Sequence, residues 1–168
     1  PMGKDSFGPV VIHEGGGHGF GRLLDEYRYY AAELPSDDKN AIKSWRSKDP
    51  YYGYNLDLTG DRNKVHWAHY FDRPGYEAVS MYEGGCLYEY GVWRPEYISC
   101  MEDNRPYYNA PSREAIVRRI MRASGKTFNM EDFISKDKIR SEKGAPQTRT
   151  DYVTEAFVPF APPIRVER

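Results

Sequence analysis

The residues of this chain best equipped for chemistry form one short run, His13-Glu14-Gly15-Gly16-Gly17-His18. Zinc hydrolases of the His-Glu-x-x-His type set two imidazoles at i and i+4 of a helix, so that both reach one ion. The Glu after the first His then takes a proton from the attacking water. Here the spacing is five, which on a regular α-helix leaves the imidazoles about 140° apart. Two geometries follow. A regular helix puts Glu14 and His18 on one face, makes Glu14 a ligand and turns His13 away. A π-bulge brings residues five apart back to nearly the same face, pairs His13 with His18 and leaves Glu14 free as a general base. Each glycine costs ~1 kcal/mol against alanine inside a helix, so the Gly15-Gly16-Gly17 run implies close approach of another chain or a ligand, and it eases a bulge. Asp25 is the candidate third ligand, with Gly19 and Gly21 letting the chain turn back after His18. A nearby tyrosine or Arg94 is the candidate to stabilise an oxyanion.

The elements that must position these residues are read from pattern. Val10-Val11-Ile12 is an apolar entry to the His13 segment. Polar residues after Glu33 predict a surface loop with a short helix near 40–45, residues 51–64 lack a period, and 65–71 predict a short helix stopped by Asp72-Arg73-Pro74-Gly75. Glycines at 84, 85 and 91 with Arg94-Pro95 predict loops or short extended pieces over 76–100. The plainest helix spans 112–124: Ser112 as N-cap, an apolar stripe through Ala115, Ile116, Ile120 and Met121, and Gly125 as the stop. A second is expected over 130–138. Pro159, Pro162 and Pro163 make 148–168 an extended tail.

At 168 residues the chain is one domain's worth, without internal repeats. A net charge of −1 and a pI of about 6.5 give no electrostatic reason for a nucleic-acid or anionic-membrane partner. No run is long and apolar enough for a membrane span, and no signal peptide is legible at the start. Only 39% of residues are hydrophobic, yet 15% are aromatic, 15 of them Tyr, which predicts a thin aliphatic core completed by tyrosine. Cys86 and Cys100 lack zinc-site spacing and leave a bridge or two buried thiols equally open. His66 and His69, among Trp67, Tyr70 and Phe71, read as packing. Met101 alone reads as core.

The order His-Glu, His, Gly-Phe-Gly and then Leu23-Leu24-Asp25-Glu26-Tyr27 resembles the bacterial IgA-peptidase type of zinc metallopeptidases. Its usual form is His-Glu-x-Gly-His-Ser-Phe-x-x-Leu-x-Asp-Glu-Tyr. Trp67, Tyr82-Glu83-Gly84-Gly85, Trp93-Arg94-Pro95, Ser99-Cys100-Met101 and Arg113-Glu114-Ala115-Ile116 are similar to later elements of that family, so the likeness spans roughly residues 10–120. The extra glycine between the histidines departs from it.

The resemblance implies an α+β, zincin-like (metzincin-like) catalytic domain, with this chain supplying the active-site helix and a loop-rich, mainly helical lower lobe. It implies Zn2+ held by His13, His18 and Asp25, Glu14 as general base, Met101 in a Met-turn, peptide or protein substrates, and a secreted or cell-surface bacterial parent. Such domains carry a sheet ahead of the His-Glu helix, so residues 1–168 are expected to be the C-terminal part of one catalytic domain, packing against an N-terminal part of the same polypeptide. The competing readings are a tight turn with exposed imidazoles, a non-catalytic aromatic-rich carbohydrate- or peptide-binding module, and a zinc-stapled pseudo-peptidase.

Overall fold

The computed structural model describes residues 7–140, so the tail expected at 148–168 lies outside it. Helix α1 (Phe7–Val11) runs straight into a π-helix over Ile12–Gly21. The glycines let this wide helix lie on the segments beneath it. A Cβ on Gly17 would collide with Met101 Sδ and one on Gly16 would stand 2.6 Å from Tyr108 Oη, whereas Gly15 faces open space. The close neighbour that the glycine run implied is therefore this chain's own Met101 and Tyr108. Arg22 ends the helix in the left-handed region (φ 51°), and its N–H and that of Leu23 both donate to Gly17 O.

The architecture is mixed α+β. Strand β1 (Arg28–Glu33) is an edge of a three-stranded sheet ordered β1-β3-β2, parallel to β3 (Leu87–Arg94), which pairs antiparallel with β2 (Tyr82–Gly85). The short extended pieces allowed for 76–100 are strands β2 and β3, joined with β1 into one sheet. The glycines there lie within a strongly bent hairpin: Gly84 and Gly91 both have positive φ, and a side chain on either would strike Arg28 or Glu33 of β1.

Helix α2 covers Ser36–Lys48, longer than the pattern suggested. Asp37 and Asp38 at its start and Arg46 and Lys48 at its end complement the helix dipole, and it buries only Ile42. Residues 65–71 contain only a 3₁₀ turn, Ala68–Tyr70. The short α3 (Cys100–Asp103) carries Met101. Helix α4 spans Ala110–Ala123, and its N-cap is Asn109, not Ser112: Asn109 Oδ1 accepts from Ser112 N at 3.1 Å, leaving Pro111 in the first turn where its missing N–H costs nothing. The stripe is buried in its first half only, since Ala115 is fully buried and Ile120 is exposed. Helix α5 (Met130–Lys136) is capped by Asn129 and ends two residues before the expected Lys138.

Among the described residues, three apolar clusters make the core. Val65, Trp67, Tyr70, Tyr76, Val79, Ala110 and Phe133 form the largest, Leu34, Ile42, Leu56 and Val92 underlie the sheet, and Leu23, Met101 and Ala115 sit beneath the π-helix. Tyrosine can serve as core because its hydroxyls meet buried carboxylates: Tyr70 on Glu114 at 2.9 Å, Tyr76 on Asp137 at 2.9 Å and Tyr107 on Glu96 at 2.6 Å. Glu114 also accepts from Arg118 at 2.7 Å and meets His69 Nε2 at 3.0 Å. Glu114→Ala would leave a buried phenol and a guanidinium unpaired, so a loss of about 3–5 kcal/mol is expected from urea denaturation. A loss below about 1 kcal/mol would contradict this account.

Candidate metal centre

The π-helical winding turns His13 and His18 to the same side, and two backbone carbonyls then aim their rings. His13 Nδ1 bonds Cys100 O at 2.9 Å and His18 Nδ1 bonds Leu23 O at 2.8 Å. A carbonyl can only accept, so each ring donates from Nδ1, and a neutral imidazole so held presents a bare lone pair at Nε2. The two Nε2 atoms lie 3.2 Å apart, and Asp25 Oδ1 lies 3.0 Å from the first and 3.1 Å from the second.

Asp25 is delivered by a clamped segment. Asn55 bonds both sides of Leu24, accepting from its N at 3.0 Å and donating to its O at 2.8 Å, while Cys86 N donates to Asp25 O at 2.8 Å. Three acceptor atoms so close repel one another unless a cation lies among them, so His13, His18 and Asp25 could hold a metal ion. Without one, a proton serves. The hydrogen bond to Asp25 holds the His18 pKa above its ordinary value against the opposing effect of burial, and burial of Asp25 is outweighed by the two imidazoles, which hold its carboxyl below the usual range.

Around the triad the sequence candidates separate. Glu14 is exposed and stands outside the ligand cluster, within Coulombic reach of His18. Met101 is fully buried directly beneath Gly17. Arg94 is not brought to the triad: it is 1% exposed, and its Nη1 donates to Glu83 O at 2.8 Å and Gly84 O at 3.0 Å, so it braces the β2–β3 hairpin. His66 pairs with Asp57 at 2.8 Å and His69 with Glu114, so both serve packing. Cys86 and Cys100 are free thiols, each pushed up to about 12 by burial, and neither belongs to the ligand cluster.

Pattern reading missed the frame behind Asp25. Glu26 is fully buried, its Oε1 accepting from Asn55 at 2.7 Å and Asn109 at 2.6 Å and its Oε2 from Ser99 at 2.6 Å, while its N donates to Met101 O at 2.8 Å. Those partners lie 29 to 83 residues away, and no local spacing signals them. Tyr27, noticed in the sequence only as part of the Asp-Glu-Tyr element, stacks on His13 with ring centroids 6.3 Å apart. Its hydroxyl faces Asp25, and burial, then that carboxylate, push it up to about 12. No protein-family model matches the chain, and no curated protein matches it. The site's geometry therefore carries the functional argument.

Two measurements follow. A metal ion must displace the proton that Asp25 helps hold on His18, so calorimetric affinity for Zn2+ should fall about tenfold per pH unit below the raised His18 pKa. An affinity flat between about pH 5 and 8 would show that the ion sits elsewhere. Burial pushes Glu26 from 4.5 up to about 7, so between those values the folded chain keeps a proton that the unfolded chain has released. Its contribution to stability is therefore present at low pH, is lost as pH rises through that window, and is level above it. Glu26→Gln, which can still accept from both asparagines, should flatten that slope in urea titrations. Parallel pH profiles for the two proteins would refute the assignment.

Proposed function

We propose that this chain belongs to a zinc-dependent endopeptidase of the IgA-peptidase type, with a zincin-like catalytic domain, acting on protein or peptide substrates outside the cell. The observation that carries the reading is the convergence of His13 Nε2, His18 Nε2 and Asp25 Oδ1 at 3.0–3.2 Å with both Nδ1 atoms bonded to backbone carbonyls. Ligands about 2.0–2.2 Å from a tetrahedral ion stand roughly 3.3–3.6 Å from one another, close to these separations. Two imidazoles and one carboxylate, with a fourth position open, form a donor set typical of catalytic rather than structural zinc. Hard oxygen-seeking cations fit a nitrogen-rich set poorly.

When bound, zinc supplies a Lewis acid that makes water acidic near neutral pH and polarises the scissile carbonyl. The chain supplies the rest. The carbonyls of Cys100 and Leu23 fix the tautomers, Asp25 adds the negative charge, and the exposed Glu14, one residue from His13, takes the water proton at its carboxylate and returns it to the leaving amine. Export is favoured by the same resemblance.

The test is zinc content and hydrolysis of a peptide library by the full chain. His13→Ala should lose zinc. Glu14→Gln should keep zinc and lose about 10²-fold or more in kcat. Zinc binding with no hydrolysis, and no loss on Glu14→Gln, would indicate a metal-stapled pseudo-peptidase, whereas hydrolysis indifferent to Glu14→Gln would overturn Glu14 as the base. A chain that purifies with no zinc affinity would favour a binding module built on exposed aromatics such as Tyr29, Tyr30 and Tyr97.

A further inference from the structure

We infer that the Tyr27 hydroxyl is a hydrogen-bond donor to the oxyanion formed at the scissile carbonyl, an inference that rests on the peptidase reading above. The Tyr27 ring lies nearly parallel to His13, at 30° and 6.3 Å between centroids, so the phenol is held against a ligand ring. Its hydroxyl donates to the ligand carboxylate Asp25 and lies within Coulombic reach of Glu14, the proton acceptor, so it must turn from Asp25 to the oxyanion when substrate is attacked. An attacked carbonyl must lie beside those two groups. The placement is fixed from the backbone, since Leu87 N donates to Tyr27 O at 3.0 Å, and from the side, since the Tyr29 ring packs against Tyr27 at 5.1 Å. Arg94, the other candidate donor, is 1% exposed, with its Nη1 on the carbonyls of Glu83 and Gly84.

In the step, the water oxygen bonds to the carbonyl carbon and the C=O π pair moves onto its oxygen. The water proton passes to Glu14 and then to the amine nitrogen as the C–N bond breaks. Tyr27 keeps its own proton and lends a hydrogen bond to the oxyanion, stronger there than to the neutral carbonyl. It therefore acts on kcat and not on ground-state binding.

Tyr27→Phe keeps the ring and its stacking on His13 while removing the hydroxyl. In the zinc-loaded full chain, kcat on a cleaved peptide should fall about 10²–10³-fold with KM and zinc affinity unchanged. The Kd of a phosphinic peptide, which mimics the tetrahedral oxyanion, should weaken by a similar factor. Unchanged kcat and phosphinic affinity would overturn the inference. So would a tenfold or larger loss of zinc affinity accompanying the loss of kcat, because the hydroxyl would then act through Asp25. A wild-type chain that neither cleaves peptides nor binds the phosphinic peptide refutes the peptidase reading itself. One that binds the mimic without turnover still reports on Tyr27 through the ratio of Kd values.

Discussion

One carboxyl group away from water, that of Glu26, ties the molecule together. Three donors from segments far apart in sequence converge on it: Asn55 from the loop after α2, Ser99 at the start of α3 and Asn109 at the start of α4. Burying an acid is costly unless every acceptor lone pair finds a donor. The constraint therefore acts in both directions. Glu26 is tolerated only if those three segments close around it, and their side-chain amides and hydroxyl are tolerated in the interior only because Glu26 is there. Each donor has a second duty: Asn55 clamps Leu24, Ser99 caps α3 and Asn109 caps α4. The position of Asp25, one residue earlier, follows from this closure.

The π-helix is the second half of the same arrangement. A wide helix with five glycines is locally unfavourable, and what offsets it is contact. Gly17 rests on Met101, Gly16 on Tyr108, and Tyr108 Oη donates to Ile12 O at 2.6 Å. Met101 belongs to α3, the element whose first residue, Cys100, lends its carbonyl to His13. Removing any one of these pieces disturbs the aim of a ligand, because the histidine ring, the methionine and the carbonyl that sets the tautomer are one packed unit.

The triad that could hold a metal runs from His13 to Asp25, but its aim depends on residues as late as Tyr108 and Asn109. An ion bound there reinforces the folded chain by the free energy of binding, since the unfolded chain does not gather the three ligands. Stability and site geometry are thus coupled through the same few polar contacts, as the short aliphatic core requires.

Local pattern alone made the candidate donors legible: two imidazoles with a glutamate beside the first, glycines permitting close approach, and Asp25 after a turn. It also made α4 legible, because helical spacing and a stop glycine are local signals. It could not choose between a regular helix with Glu14 as a ligand and a π-helix with His13 as one, because that choice depends on Met101 and Tyr108 arriving from about ninety residues away to receive the glycine face. The pairing of the sheet was hidden for a similar reason: the glycines of 84–91 allow loops or short extended pieces, and β1 finds β3 only across more than fifty residues. Arg94 and Glu26 show the limit most plainly. A charged residue in a motif reads as chemistry, and only tertiary burial and the partners it brings decide whether the charge faces a substrate or, as for these two, holds the frame behind the site.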